Sequence, residues 1–221
     1  MKLLALDTSA QCCSLALLQN DKIVSLNKVA PMQQAQIVLP MINDFLKENN
    51  LELNQLDALV LGCGPGSFTG VRIASSVIQG LALGIDLPVI LVSSLAAIAQ
   101  NSYTKHGWKN IMVAVDARVE EVYCGAYQID SMGVVYLQAS EQVIMPRNMV
   151  LPKQNTWHGA GNAWDIYARE INCRPIAIDP LVQPLAEGLL PQARQKFTQG
   201  AWVPAFAAIP VYLRDNVAKK Q

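Results

Sequence analysis

The stretch IMVAVDARVEEVYCGAYQIDSMGVVYLQ (residues 111–138) repeats a pattern that the chain has already used at its N-terminus. In both places an apolar run ends in an aspartate, a turn follows, and two further apolar runs come after it, with Asp116 standing where Asp7 stood. The same offset in the chain brings Leu18 onto Tyr127. A pattern of this length that occurs twice predicts an internal duplication, with one lobe built on each copy.

The first copy predicts three consecutive strands followed by a helix. Apolar residues recur at strand spacing in KLLALD (2–7), CCSLALLQ (12–19) and KIVSLNKV (22–29), with a tight turn at Asn20 and Asp21. Residues 34–48 then place apolar side chains on one broad helix face, although Pro40 should bend or weaken the first turns. Further along come a strand at 57–62, a glycine-rich corner, a helix at about 69–84, a strand at 88–92 and a helix from Ser93.

Strands that alternate with helices after such a meander predict a mixed α/β sheet covered by helices. With the duplication, this order favours the two-lobed fold of the actin, Hsp70 and sugar kinase class, the ASKHA fold. The second lobe should be reduced, because helices are hard to place in residues 145–164 (MPRNMVLPKQNTWHGAGNAW) and among the later prolines. Polar, turn-prone residues at 101–109 predict the boundary, which divides the chain into lobes of residues 1–100 and 101–221.

Composition excludes several classes of protein. The 221 residues are 52% hydrophobic and 15% charged, enough for a sizeable core, and 17 basic side chains balance 17 acidic ones. No overall field therefore attracts polyanions, and any RNA contact should be local or made through a partner. Asp7 interrupts what would be the apolar centre of a secretory signal, and no uninterrupted apolar run approaches the roughly 18 residues of a membrane span. We expect a soluble, cytoplasmic protein.

The cysteines predict buried, reduced thiols. The chain has five of them, an odd number, without CxxC spacing and mostly in strand-like apolar segments. A metal or redox site is the less favoured alternative.

The corner GCGPGSFTG (62–70) resembles a phosphate-binding loop but departs from the known patterns. A Walker loop needs a lysine after its last glycine, where this chain has Val71 and Arg72, and a Rossmann fingerprint has different glycine spacing, without Pro65. We favour a structural corner. An anion site assisted by Arg72 at the helix N-terminus stays open as the alternative.

In the structural interpretation, Gly64 and Gly66 permit a sharp reversal and Ser67 or Thr69 caps the helix. The first hairpin turn, from Asp7 to Ala10, also lacks the glycine that lets phosphate-transferring members of this fold class bring backbone close to a phosphate.

Other candidates for chemistry are weak. His106 and His158 lie in different segments and form no local metal motif, so surface or hydrogen-bonding roles are favoured for both. Acid–base work is conceivable for the charges of the second hairpin, but solvated or paired side chains are favoured there. Those charges are Asp116, Arg118, Glu120 and Glu121. No Ser, His and Asp arrangement supports a protease. We therefore predict no catalytic, metal or cofactor site in this chain.

The helix VRIASSVIQGLALGI (71–85) is apolar or small in nearly every direction and has no charge after Arg72. Such a helix does not lie in open water. One face can pack on its own sheet, while the other needs a neighbouring helix, for which residues 34–48 are the internal candidate, or another protein. A partner surface is favoured over pure core, and both stay open.

Several motifs together resemble one family, the bacterial TsaB proteins, also called YeaZ. They are LLALDTS (3–9), LP (39–40), GPGSFTGVRIA (64–74), VSSL (92–95), DAR with EVY (116–118 and 121–123) and PVYLRDNVA (210–218). The resemblance spans the chain. It implies a subunit that pairs with and activates a catalytic paralogue, TsaD, together with the ATPase TsaE. These proteins transfer threonylcarbamoyl from its adenylate to adenosine 37 of tRNAs that read codons beginning with adenine.

The resemblance also implies that this chain is noncatalytic. The paralogue binds its metal with two histidines four residues apart, and Ser94 and Ile98 stand at the matching positions. Serine is a poor metal ligand and isoleucine is none. A further departure is Gln34, where many relatives have histidine, so any titratable role at that position is lost.

Pairing in this family uses the helices of the first lobe, with a second copy when the chain is alone or with the paralogue. The expected interface residues are Ile37, Met41, Phe45, Phe68, Arg72, Val77, Ile78 and Leu81. The chain alone should bind no cofactor, although ATP or ADP could be held at the interface of the complex, and tRNA should be contacted only through the complex. The competing hypothesis is an autonomous kinase or ATPase of the same fold, with Asp7, Thr8, Ser9 and Gly159–Gly161 around a nucleotide.

Overall fold

A computed structural model describes residues 1–153 and 156–213. The first lobe follows the predicted order, and its boundaries lie within one or two residues of those predicted. Its elements are β1 (Lys2–Asp7), β2 (Cys12–Gln19), β3 (Lys22–Val29), α1 (Gln34–Glu48), β4 (Ala58–Gly62), α2 (Phe68–Ile85), β5 (Val89–Val92) and α3 (Ser94–His106). Helix α1 is not interrupted at Pro40. Of the C-terminal motif PVYLRDNVA, residues 214–218 lie outside the described residues.

The second lobe repeats the first. It consists of β6 (Asn110–Asp116), β7 (Val122–Ile129), β8 (Val135–Leu137), β9 (Gln142–Ile144), β10 (His158–Ala160), α4 (Ala163–Ile166), β11 (Ile178–Asp179) and α5 (Leu190–Thr198). The first sheet has the order β3-β2-β1-β4-β5 and the second has the equivalent order β8-β7-β6-β10-β11. Strand β1 pairs antiparallel with β2 and parallel with β4, and β6 likewise pairs antiparallel with β7 and parallel with β10. This is the predicted two-lobed ASKHA fold.

The second lobe is the smaller version of the pattern, as predicted. Strands β8, β10 and β11 have 3, 3 and 2 residues. Their counterparts β3, β4 and β5 have 8, 5 and 4. Helices α4 and α5 have 4 and 9 residues, so the second sheet is covered by less helix than the first.

Helix α3 lies in a core that both sheets share. Alternate residues of β1 face opposite ways: Leu4 and Leu6 pack with α1 and α2, whereas Leu3 and Ala5 pack with α3 and with residues of the second sheet. Because apolar neighbours lie all around it, the segment 95–99 is buried on every side. The predicted division after residue 100 falls inside α3, which ends at His106 and is followed by the C-cap residue Gly107 with a φ of 72°. It remains a prediction.

All five cysteines are free, and Cys173 alone is not fully buried. Burial raises the pKa of the Cys63 thiol to about 12 and that of Cys13 and Cys124 to about 11. These three thiols therefore stay protonated near neutral pH, and the predicted burial is confirmed for four of the five cysteines.

Helix α2 is long and apolar enough to cross a membrane when only its length and composition are considered. The expectation concerned uninterrupted apolar runs, and Arg72 and Gln79 interrupt the apolar residues of this helix. A single such helix is a weak sign of membrane insertion, because core helices of soluble proteins meet the same test. In this fold Ala74, Ile78 and Ala82 are buried in the core beneath it.

Candidate functional site: a sealed corner and an open helix face

The glycine-rich corner packs directly against the first hairpin turn. A Cβ atom on Gly62 would lie 2.1 Å from Asp7 Oδ2, and one on Gly66 would lie 2.7 Å from the Cβ of Ser9. The backbone N–H of Ser67 donates to the carbonyl oxygen of Ser9 at 2.8 Å. The turn therefore packs directly on the corner, and the glycines make room for the chain itself.

The start of α2 belongs to the same packed unit. A Cβ on Gly70 would lie only 2.0 Å from the carbonyl oxygen of Thr8, whose hydroxyl donates to the carbonyl oxygen of Gly70 at 2.7 Å. Ser67 caps the helix by accepting a hydrogen bond from the N–H of Gly70 at 3.3 Å. These contacts are those of a structural corner, as favoured from the sequence. The capping residue is Ser67 rather than Thr69.

Asp7 is the centre of the unit. It is 1% exposed, and its Oδ1 accepts from the N–H and the hydroxyl of Ser9, at 2.7 and 2.6 Å. Its Oδ2 accepts from the hydroxyl of Ser94 at 2.7 Å, and that hydroxyl also accepts from the N–H of Gly64. Burial raises the pKa of Asp7 to about 6, although the hydrogen bonds from Ser9 and Ser94 oppose the shift. The carboxylate thus ties β1 to the start of α3.

Ser94 and Ile98, the positions that the resemblance matches to a pair of metal-binding histidines, have structural roles. Ser94 is 1% exposed and bonded to Asp7, while Ile98 is 2% exposed within the shared core. Within residues 1–153 and 156–213, no group of three or more His, Cys, Asp or Glu side chains is placed to hold a metal ion.

The kinase hypothesis would place Gly159 and Gly161 of the second lobe beside a nucleotide, but both glycines pack against other residues of the lobe. A Cβ on Gly161 would lie 2.4 Å from the carbonyl oxygen of Ala114, and one on Gly159 would lie 2.9 Å from the indole of Trp164. That indole donates to the carbonyl oxygen of Met112 at 3.1 Å. These glycines therefore let β10 and the segment after it pack closely on β6.

Two charged residues of the second hairpin form an ion pair across its turn, with Arg118 Nε 3.8 Å from Asp116 Oδ2. Asp116 accepts from the N–H of Arg118 at 3.0 Å and from the hydroxyl of Tyr167 at 2.8 Å. Burial and the neighbouring Asp116 raise the pKa of Tyr167 to about 12. Arg118, Val119 and Glu120 all have positive φ, at 64°, 53° and 57°. Asp116 is thus held within the hairpin, as the interpretation of paired charges predicted.

His106 and His158 converge, although they lie in different segments. Both rings stack on Trp108, with centroid distances of 4.2 and 4.6 Å. His106 Nε2 lies 2.7 Å from Asp179 Oδ2, which also accepts from Lys105 at 2.7 Å. The predicted surface or hydrogen-bonding role holds for both histidines. Their meeting at Trp108 was not visible in the sequence, because the pairing of β10 with β6 creates it.

The outer face of α2 is largely exposed among the described residues. Its exposed stripe contains Phe68, Arg72, Ser76 and Gly80, at intervals of four residues, followed by Leu83 and Gly84. Cβ atoms on Gly80 and Gly84 would meet nothing within 4 Å. A shallow groove of about 440 Å³ runs beside this stripe. It is lined by Ala35, Phe68, Thr69, Arg72, Ile73, Ser76 and Val77.

Burial divides the eight predicted interface residues into two sets. Met41, Phe45 and Ile78 are 8%, 4% and 0% exposed and pack in the core of the first lobe. They are therefore corrected to core residues that a partner could not reach. The other five lie at least partly at the surface: Ile37, Phe68, Arg72, Val77 and Leu81.

Tyr212 is a contact of this face that sequence reasoning missed. The hydroxyl of Tyr212 accepts from Arg72 Nε at 2.9 Å, and the guanidinium carbon of Arg72 lies 3.6 Å from the centre of the Phe68 ring. On the same flank, Ser75 and Gln79 donate to the carbonyl oxygen of Ala208 at 2.6 and 3.1 Å. The C-terminal segment thus covers one side of α2 and contacts the first two residues of the stripe, whereas the part around Gly80 and Gly84 stays open.

Gln34, at the start of α1, is 8% exposed, and its amide nitrogen donates to the carbonyl oxygen of Ala10 at 3.2 Å. It therefore joins α1 to the first hairpin turn by a hydrogen bond that does not depend on pH.

Comparisons with known proteins agree with this architecture. The family model described as TsaD, tRNA N6-adenosine threonylcarbamoyltransferase, matches residues 27–175. The tRNA threonylcarbamoyladenosine biosynthesis protein TsaB of Escherichia coli (strain K12) is 37% identical over 226 residues, covering 100% of this chain and 98% of that protein. TsaB of Haemophilus influenzae (strain ATCC 51907 / DSM 11121 / KW20 / Rd) is also 37% identical, with coverage of 100% and 97%. The structure of YeaZ from Pseudomonas aeruginosa is 44% identical and superposes with a TM-score of 0.93, covering 96% of this chain and 99% of that one.

Proposed function

The chain belongs to the TsaB (YeaZ) family, and from this premise we propose that it is a noncatalytic subunit required for threonylcarbamoyladenosine formation at position 37 of tRNAs that read codons beginning with adenine. It pairs with the catalytic paralogue TsaD and activates it, and TsaE completes the machinery. The paralogue transfers threonylcarbamoyl from its adenylate, while this chain supplies a binding surface.

The observation that carries the proposal is the open face of α2. A glycine inside a helix costs roughly 0.5–1 kcal/mol relative to alanine, and Gly80 and Gly84 gain no internal contact in return. Small residues on a helix surface let a second backbone come close. Ser76, Gly80 and Gly84 are the small residues of the exposed stripe, and the apolar groove lies beside them. A partner helix laid along the stripe would bury the exposed Phe68 and Leu83.

The sealed corner, in which the first hairpin turn (Asp7 to Ala10) packs against residues 62–70, supports the noncatalytic part of the proposal. Asp7 is enclosed by Ser9 and Ser94, and the glycines beside it contact the chain's own backbone. The alternative, an autonomous kinase or ATPase, would need Asp7 and the Gly159–Gly161 segment to face a nucleotide. Both are used in internal packing, so that alternative has less support. We propose no nucleotide site in the chain alone, and ATP or ADP only at the interface of the complex.

The proposal also includes a cytoplasmic location and indirect tRNA contact. Basic and acidic side chains balance at 17 each, so this chain offers the polyanion little net attraction. The paralogue would then hold the tRNA.

A reconstitution with a blocked helix face tests the pairing. The purified chain is mixed with its TsaD paralogue, TsaE, ATP and unmodified tRNA, and both the mass of the complex and the modified nucleoside are measured. We expect Gly80→Leu to reduce binding and modification at least about tenfold, because the new side chain occupies the space of the partner helix. Arg194→Leu is the matched control. It also places a leucine on an exposed helix, in the other lobe, and removes only an exposed ion pair with Asp21.

Two results would contradict the proposal in different ways. A wild-type chain that neither binds the paralogue nor supports modification would remove the function itself. Normal binding by a folded Gly80→Leu protein would leave the function but place the interface elsewhere.

A further inference from the structure

Strand β3 is a sheet edge that is exposed along its whole length among the described residues. It lies at one end of the first sheet, it pairs there with β2, and all eight of its residues are exposed. The other sheet edges are short or covered. Strands β8 and β11 have 3 and 2 residues, and Val89 of β5 exchanges two backbone hydrogen bonds with Val203, at 2.8 and 2.9 Å. A long open edge is a template for a further strand.

The backbone of β3 offers hydrogen-bonding groups along its outer side. The N–H of Ala30, just beyond the strand, donates to the carbonyl oxygen of Gln11 at 3.1 Å. Bonded pairs alternate along an antiparallel ladder, so the even-numbered residues of β3 bond to β2 and the odd-numbered residues direct their N–H and carbonyl groups outwards. Those residues are Ile23, Ser25, Asn27 and Val29. An added strand would meet donors and acceptors at the regular spacing of a sheet.

One face of this edge has an apolar centre with a lysine on either side. Val24 and Leu26 are 42% and 36% exposed, and they lie on the side of the sheet that α1 and α2 cover elsewhere. Lys22 and Lys28 share that side, because side chains two residues apart point the same way. The five ion pairs found within residues 1–153 and 156–213 include neither lysine. Strand β3 itself contains no acidic residue, so this face is positively charged at both ends.

We propose that β3 binds an extended acidic segment of a partner protein, which adds a strand to the first sheet. The carboxylates of the segment lie opposite Lys22 and Lys28, and two apolar side chains between them cover Val24 and Leu26. Such a segment has an acidic residue at each end of a seven-residue stretch and apolar residues at its third and fifth positions. Helix α2 packs over β1 and β4, so this edge is a separate surface and the inference does not depend on the proposed function.

The lysines favour such a segment over a second copy of the chain. Two β3 strands that pair antiparallel about Ser25 would place Lys22 of one copy opposite Lys28 of the other at both ends of the contact, and like charges directly opposite are destabilising. Lysines on an edge strand also discourage pairing with apolar or basic strands. Carboxylates at the matching positions replace this repulsion with attraction, so the same two side chains select the partner.

Binding of designed peptides tests this pairing. The acidic probe is a blocked seven-residue peptide with glutamate at both ends, valine at the third and fifth positions and threonine at the others. The basic probe has lysine in place of both glutamates. In NMR titrations of the full chain, the acidic peptide should bind at least about tenfold more tightly than the basic one and should shift the amide signals of β3.

Charge exchange in the chain should reverse this preference. A double variant with Lys22→Glu and Lys28→Glu should bind the basic peptide more tightly than the acidic one. The matched control is Lys109→Glu with Lys153→Glu, which makes the same change in net charge at exposed lysines of the second lobe and should keep the preference for the acidic peptide.

Removal of single N–H groups distinguishes strand addition from charge attraction alone. N-methylation of the central threonine of the acidic peptide removes an N–H that points at β3, so it should weaken binding at least about tenfold. N-methylation of a valine, whose N–H points away, should change the affinity by no more than about twofold. In the chain, Ser25→Pro removes an outward N–H without removing a bond to β2, so the variant should fold and bind the peptide poorly. Circular dichroism checks its fold.

Equal affinity for the two peptides would overturn the inference, and so would the absence of binding or binding that is unaffected when the central threonine is N-methylated. A wild-type chain whose mass in solution falls when Ser25→Pro is introduced would show that a second copy occupies the edge, which also overturns the inference.

Discussion

The sealed corner and the outer face of α2 both depend on glycine, but for opposite reasons. At Gly62, Gly66 and Gly70 an added Cβ would collide with the first hairpin turn, whereas at Gly80 and Gly84 it would meet nothing within 4 Å. The fold requires the absence of a side chain at the first three positions. At the other two positions it would accept a side chain. Glycine in the same helix can therefore indicate either a closed internal contact or a surface reserved for another chain, and only the neighbouring atoms distinguish the two.

Ile78 and Val77 are adjacent in α2, but one lies in the core and the other beside the open groove. The largest loss of stability is expected from a charge at the buried position. Ile78 is fully buried, so Ile78→Glu should cost about 4 kcal/mol of unfolding free energy, because an unpaired carboxylate enters the core. Val77 is only partly buried and borders the open groove, so Val77→Glu should cost less stability than Ile78→Glu but weaken association with the paralogue. Urea unfolding and the mass of the mixed complex measure the two quantities. Similar stability losses in both variants would mean that the groove is not a free surface.

A smaller effect is expected from the titration of Asp7. Its pKa is raised from 3.8 to about 6 in the folded protein, so folding is favoured most below about pH 4, and that stability is lost as the pH rises to about 6. The difference is about 3 kcal/mol at most, at 1.4 kcal/mol for each pKa unit. Asp7→Asn can keep the hydrogen bonds to Ser9 and Ser94 without the charge. Its unfolding free energy should therefore vary less between pH 4 and 6, and it should be at least as stable as the wild type at pH 7.

Urea unfolding of both proteins at pH 4, 5, 6 and 7 measures that difference. A pH dependence that is unchanged in Asp7→Asn would show that Asp7 is not the titrating group. Loss of an ATP-dependent activity of the isolated chain in this variant would instead support the kinase hypothesis.

The sequence was sufficient for the elements of the first lobe and for the duplication, because period and turn residues act locally. Residues 2–29 show three strands whose apolar positions alternate, and the observed strands have the predicted bounds. The faces of α2 could not be assigned in this way, since apolar side chains surround it and only the packed sheet decides that Ile78 points inwards. The contact of Arg72 with Tyr212 joins residues 140 positions apart, and no local pattern announces it.

The smallest effect compares one substitution at two sites of α2. Gly70→Ala places a methyl group 2.0 Å from the carbonyl oxygen of Thr8, so the helix start must shift, at a cost of about 2 kcal/mol. Gly80→Ala adds the same methyl group in open space, where higher helix propensity should stabilise the fold by about 0.5–1 kcal/mol. Thermal and urea unfolding would show these opposite signs. Equal destabilisation would mean that the outer face of α2 is already filled by the chain, and a stabilised Gly80→Ala protein that pairs less well would show that the bare glycine serves the partner.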